Sequence, residues 1–522
     1  MKHKITMTGI HWQTYLRAAF SINVLLSFIV VSILALVLFV GSVHAATEPG
    51  SSVRTRKNEQ LTLPPAEAMK PWKGDLDGMI KRRNIRILTT YSKTLYFLDK
   101  GNQRGVTCDG FRMFEQDLNK KLAKEKKLKN KNLKVRVIFI PVARNELLSA
   151  LAEGKGDIAA SNLTITAERQ KLVDFSAPAY SDVKELLVSG PGSPEVSNVE
   201  DLAGKEVFVR KSSSYYESLT SLNQRFAAEK KPEVIIREAP DTLEDEDLIE
   251  MVNAGLIPLT VVDRHIAVFW KQVFPAVKVH EGIALRIGGE IAWAIRKESP
   301  LLKAALDDFL GRYGRQTTSG SQLLVRYLKN AKYVKDAASE TERKKFISLV
   351  QYFQKYGDKY TVDWLLMAAQ GYQESQLNQA LRSPVGAIGV MQVMPRTGKE
   401  LSVGDITQTE ANIHAGVKYM RWMIDQYYGK EPMTQVDKTL FAFASYNAGA
   451  GRISKLRKEA AKRGLDPNIW FHNVEYVAAE KIGAETVTYV GNIYKYYIAY
   501  RLIMDVKEKR KQAIDKLKSQ DK

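Results

Sequence analysis

The 522-residue chain contains one cysteine, Cys108. No intramolecular disulfide can form, and no cysteine follows the N-terminal segment to carry a lipid. Its domains must therefore be held by apolar cores, and 45% hydrophobic residues supply ample material. Cys108 reads as a small packed or partly exposed residue rather than a nucleophile. Zinc-finger spacing, an RRM-like aromatic signature and a concentrated basic recognition helix are also missing. Their absence argues against nucleic acid as the partner of a chain with formal net charge +20. Membrane headgroups and acidic polymers remain as anionic partners, with general solubility as the plain alternative. There is no internal repeat and no long low-complexity tract, and no motif calls for a metal or a cofactor.

Charge is absent from one long segment. Between Ala18 and Thr47 there is no Asp, Glu, Lys or Arg, while Lys2, Lys4 and Arg17 precede it. The core VLLSFIVVSILALVLFVGSVHAA ends with Val43 and Ala45 where a signal peptidase reads small residues. Cleavage after Ala45 makes it a secretory signal. Left uncut, an apolar core of about 20 residues spans a bilayer. Both readings export the remainder.

At this length two or three domains are expected. Residues 46–82 are polar and Pro-containing and read as a linker. From Arg83, strand-like runs (IRILTTY, VRVIFIPV, DIAASNL) alternate with helical stretches such as FRMFEQDLNKKLAKEK. Such alternation predicts an α/β domain with a largely parallel sheet over 83–311. Residues 312–343 read as a second linker. Beyond them strands nearly vanish, and 344–504 shows helical spacing throughout. The tail 505–522 is basic and reads as a solvated helix.

In the α/β part, DIAASNLTITAERQKLVDFSAPAY delivers Ser161 to Thr164 to the end of a strand, with Thr166 before a helix starting near Ala167. Ligands of α/β domains bind at this edge, and Arg169 supplies a fork suited to a carboxylate. The segment resembles periplasmic solute-binding proteins of the polar amino-acid type, as does DLAGKEVFVRKSSSYYESL further on. The resemblance implies two lobes around a cleft, with Thr164 and Arg169 facing a ligand carboxylate and Asp263 its amino group. Tyr91 and Tyr96 are candidates for the cleft wall. Asn162 replaces the usual small residue, which puts the amino-acid specificity in question and leaves room for another effector, such as a muropeptide, or for lost binding.

In the helical part, the stretch GYQESQLNQALRSPVGAIGVMQVMP carries one acid, Glu374, with none following until Glu400. Trp364, Leu365, Ala368 and Tyr372 make an apolar stripe on the helix leading to it. The negative end of that helix's dipole is expected to raise its pKa, which suits a general acid. A lone Glu at a helix end is otherwise simply solvated. However, NIHAGVKYM, ASYNAGAGRI and ETVTYVGNI follow in order. The four blocks together resemble the soluble-lytic-transglycosylase type of lysozyme-like (α+β) domain, with Val390 where Leu is usual.

That resemblance implies cleavage of the β-1,4 bond between N-acetylmuramic acid and N-acetylglucosamine in peptidoglycan, leaving 1,6-anhydro ends. Glu374 is then acid and afterwards base. Ser375, Ser383, Met391, Gln392, Tyr446, Asn447 and Tyr489 line the groove or orient the sugar, and Glu485 braces the helix of Tyr489 or acts as a second carboxylate. The domain pairing resembles the membrane-bound lytic murein transglycosylase F family, exported and membrane-associated. A hydrolase of the same fold and a non-catalytic solute sensor or wall-binding protein stay open as alternatives.

Overall fold

The computed structural model describes residues 68–99, 102–128, 130–314, 317–328 and 340–520. The uncharged segment 18–47 and its cleavage site lie outside the described residues. No helix among the described residues is long and apolar enough to cross a membrane.

The first domain is built on a mixed sheet. Three strands of the first lobe, β1 (Asn84–Thr89), β2 (Arg136–Pro141) and β3 (Ile158–Thr164), pair in parallel in the order β2-β1-β3. Their near-continuous Ile, Val and Leu content fits strands covered on both faces. The second lobe repeats the scheme with β5 (Glu206–Arg210), β6 (Ile235–Ala239) and β7 (Leu259–Asp263). Two long strands join the lobes, β4 (Tyr180–Ser189) and β8 (Lys278–Ile295), and they run antiparallel to each other. The expectation of a largely parallel sheet is therefore corrected to a mixed one. Repeated register shifts in β8 break its alternation, which is why the sequence pattern hides it.

The boundaries also differ from the sequence reading. Helix Leu76–Arg82 lies in the expected first linker, with Leu76 and Met79 buried in the first lobe. Helix Thr318–Leu328 lies in the expected second linker. It joins the first domain, where the Tyr327 hydroxyl donates to Asp109 at 2.7 Å.

The second domain is helical. Helices Glu340–Tyr360, Trp364–Ser375, Thr409–Tyr427, Gln435–Ala448 and Ala484–Gln520 form its body, as the helical spacing over 344–504 leads one to expect. The last runs on through most of the basic tail. Only isolated bridges (Arg382 with Ile388, Ile388 with Val393) supply β-structure among its described residues.

The two domains meet along an interface of polar side chains. Arg83 pairs with the fully buried Glu475, and Arg136 donates to the Val487 carbonyl at 2.6 Å. Gly491 in ETVTYVGNI makes this approach possible, since any Cβ there would collide with the Arg136 guanidinium. The Tyr372 hydroxyl donates to Asn102, on the strand Asn102–Arg104 of the first lobe.

Candidate active site

Glu374 is the penultimate residue of helix Trp364–Ser375. Asp363 caps that helix, accepting from the Leu365 N–H at 3.0 Å, and its other oxygen accepts from the Tyr497 hydroxyl at 2.6 Å. The helix is thus fixed to the last helix before it reaches Glu374. It ends abruptly, because Gln376 and Leu377 both adopt left-handed backbone conformations (φ 54° and 62°). Consecutive non-glycine residues in this region store strain, which tends to collect at functional sites.

The carboxyl of Glu374 is half-buried, and its Oε1 accepts a hydrogen bond from the Tyr489 hydroxyl. Burial pushes its pKa up to about 7, while the Tyr489 bond pulls the other way. Among the described residues no charged group contributes. The cause is desolvation of the carboxyl where the last helix covers it. Tyr489 and Tyr446 both feel the charge of Glu374, so the two phenols and the carboxyl form one cluster.

A raised carboxyl pKa has a stability consequence. The unfolded chain releases this proton near pH 4.5, whereas the folded chain holds it to about 7. Stability is therefore lost as pH rises between those values, by about 3 kcal/mol. Glu374→Gln should leave urea stability unchanged below pH 4.5 and raise it above pH 7.

The loop after Glu374 is tied from several sides. Ser375 Oγ donates to the Val390 carbonyl at 2.9 Å. The Tyr446 hydroxyl donates to the Met391 carbonyl at 2.7 Å. Buried Asn412, from the NIHAGVKYM block, accepts from the Met391 N–H at 2.8 Å and donates to the carbonyls of Ile388 and Ile406. Gly416, one turn on, leaves room for the Met391 side chain, which a Cβ would strike.

The expected sugar-contacting residues divide accordingly. Ser375 and Met391 are buried and shape the loop from within, so neither reaches a ligand in this conformation. Ser383 closes its own turn by accepting from the Ala387 N–H at 2.9 Å. Gln392 is half-buried with φ 46° and donates to the Gly389 carbonyl at 2.9 Å. Asn447 accepts from Thr486 at 2.6 Å, which holds the start of the last helix against helix Gln435–Ala448. Glu485 is exposed, one turn before Tyr489. It does not enter the causes of the Glu374 shift. Sequence reasoning missed Gln370, which donates to the Tyr489 hydroxyl at 3.1 Å.

The cleft of the first domain is bridged by its own side chains. Arg169 donates to the carbonyls of Thr164 and Ser212, at 2.8 and 3.0 Å, rather than standing free. Asn162 donates to Asp263 at 2.6 Å, and Arg144 pairs with Glu244 of the other lobe. Asp263 Oδ1 is buried without a hydrogen-bond partner among the described residues. Burial and the nearby Glu185 and Asp245 push its pKa well up. Tyr96 is fully buried and stacked on Phe139, so it does not form the cleft wall. A cavity of about 470 Å³ opens beside Asn162, lined by Met113, Tyr180, His265 and Trp293 among others. Cys108 is buried, with its thiol pushed up to about 12 by desolvation, and is inert.

Residues 90–328 match the model of bacterial extracellular solute-binding proteins, family 3, and residues 351–469 match the Transglycosylase SLT domain. Fold and site thus define a two-lobed solute-binding module followed by a transglycosylase-type helical domain. The SLT match stops before Tyr489, which the folded last helix brings back to Glu374.

The chain is similar to the Membrane-bound lytic murein transglycosylase F proteins. It is 29% identical over 436 residues to that of Pseudomonas fluorescens, covering 79% of this chain and 84% of the relative. To the protein of the same name from Desulfosudis oleivorans it is 28% identical over 437 residues, covering 79% and 89%. Among solved structures, the substrate binding protein of an amino acid ABC transporter is 20% identical with a TM-score of 0.38, covering 47% of this chain and 100% of that one.

Proposed function

We propose that this chain is a peptidoglycan lytic transglycosylase whose first domain regulates the second. The observation that carries the reading is the carboxyl of Glu374, its pKa raised to about 7 by burial, with Tyr489 as its hydrogen-bond partner and no second charged group among the described residues contributing to the shift. Two-carboxylate glycosidases hold the second group within reach of the first, whereas substrate-assisted enzymes do without it. Glu374 protonates the glycosidic oxygen between the muramic acid and glucosamine units, and the C1–O bond breaks. The sugar's 2-acetamido group stabilises the cation. The Glu374 carboxylate then takes the proton of the same sugar's 6-hydroxyl as that oxygen bonds to C1. The proton returns to Glu374, no water is consumed, and a 1,6-anhydro end is left. Tyr446, Asn447, Ser383 and Gln392 shape the groove; Ser375 and Met391 support it from beneath.

Because the acid must start protonated, activity should fall as pH rises through about 7. Tyr489→Phe removes the bond that lowers the pKa, so the basic limb of kcat/KM should move to higher pH. A pH series on both proteins checks this, and an unchanged limb counts against Glu374 as the acid.

For the first domain, we infer a small ammonium-bearing effector, an amino acid or the peptide part of a muropeptide. The unpartnered oxygen of Asp263, and a cavity lined by its hydrogen-bond partner Asn162, support this. Thr164 and Arg169 would have to exchange their present partners to meet its carboxylate. A regulatory role is supported by the contacts from Asn102 and Arg136 to the helices carrying Glu374 and Tyr489. The reading places the protein in the periplasm, with the segment 18–47 as signal or anchor. Its positive charge suits peptidoglycan, whose lactyl and stem-peptide carboxylates are anionic.

A further inference from the structure

The Tyr489 hydroxyl lies between two side chains of one helix. It donates to Glu374 Oε1 and accepts from Gln370 Nε2 at 3.1 Å. Gln370 and Glu374 are four residues apart, so both occupy the helix face turned toward Tyr489. Gln370 is fully buried, as are Met367, Ala369 and Gly371 around it. Its own carbonyl, Oε1, is sealed from solvent with no hydrogen-bond partner among the described residues. An apolar side chain of similar size would fill this space without stranding a buried acceptor. Packing therefore does not account for the glutamine, and the bond to Tyr489 does.

That bond restricts what the phenol can do. A free hydroxyl rotor beside a carboxyl can donate to it or accept the acid's proton from it. With Gln370 donating to the phenol oxygen, the Tyr489 O–H is turned to Glu374 Oε1. Oε1 accepts in both protonation states, so the acid's proton is confined to Oε2. Oε2 has no partner among the described residues and is not sealed from solvent.

We propose that Gln370 is a positioning residue that keeps the Tyr489 hydroxyl donating to Glu374 Oε1, so that the transferable proton sits on the open oxygen, Oε2. This rests on the acid-then-base role of Glu374 proposed above. It assigns to one buried amide the choice of which carboxyl oxygen performs the chemistry.

The test uses the full chain with Gln370→Leu and Gln370→Met, each alone and combined with Tyr489→Phe, assayed on purified glycan strands across a pH series. Either single variant should lower kcat about tenfold with KM unchanged. The basic limb of kcat/KM should move up toward that of Tyr489→Phe. In the Tyr489→Phe background neither change should have a further effect. Methionine keeps the length of the side chain and safeguards the test should leucine fail to fold. An unmoved basic limb, or an equal loss of kcat in both backgrounds, overturns the proposal in favour of simple packing. If the unmodified protein makes no anhydro ends, or makes them equally well as Glu374→Gln, the functional reading itself fails. An active, Glu374-dependent enzyme indifferent to Gln370 sinks only this inference.

Discussion

Glu374→Gln should lower kcat on peptidoglycan by about 1,000-fold or more while KM stays within about threefold. One carboxyl both gives and takes the proton in the proposed reaction, so its loss removes acid and base together. Glutamine keeps the volume and still accepts from Tyr489, which leaves the loop fixed by Ser375, Tyr446 and Asn412 in place. The loss should therefore fall on turnover and not on binding. A co-sedimentation assay with sacculi should show undiminished association. A large rise in KM with kcat preserved would mean that Glu374 holds substrate and some other group does the chemistry.

The second large effect is expected far from the reacting bond. Glu475→Ala should destabilise the protein by about 3–5 kcal/mol, read as a loss in urea or thermal unfolding. Glu475 is fully buried and is the counter-charge of Arg83, with Arg136 also within its field. Removing it leaves two guanidinium groups facing each other at the junction of the two domains. Arg83→Met combined with Glu475→Leu should recover part of the loss, because Arg83 is no longer stranded while buried Arg136 still lacks the Glu475 charge. A single-variant effect below about 1 kcal/mol would place this contact among surface ion pairs. Since Arg136 also holds the Val487 carbonyl on the helix of Tyr489, activity should fall along with stability.

Glu374 was legible in the sequence because its isolation among Gly, Ser and Pro residues, and the three blocks after it, do not depend on distant contacts. The helices of the second domain were legible for the same reason, since their apolar spacing is local. The cause of the raised pKa was not. A helix end can be read from sequence, whereas desolvation depends on what the last helix brings over the carboxyl. Motif resemblance named Ser375 and Met391 without their direction, and both point inward to support the loop. Gln370 belongs to no motif, and its bond to Tyr489 exists only because the last helix packs over it. Helix Thr318–Leu328 was hidden by the Thr-Ser-Gly-Ser that opens it, although Leu323 and Tyr327 pack toward the first domain. In that domain, Thr164, Arg169 and Asp263 were named by their motif. That they are engaged with neighbouring protein groups follows only from how the lobes close.

The central claim is that a single carboxyl, aided by the sugar's own groups, cleaves the glycan without water. Mass spectrometry of the fragments released from purified sacculi by the unmodified protein and by Glu374→Gln tests it most directly. The account predicts muramic acid ends one water lighter than hydrolytic ends from the unmodified protein, and almost none from the variant. Hydrolytic ends of full mass, or equal release by both proteins, would contradict it.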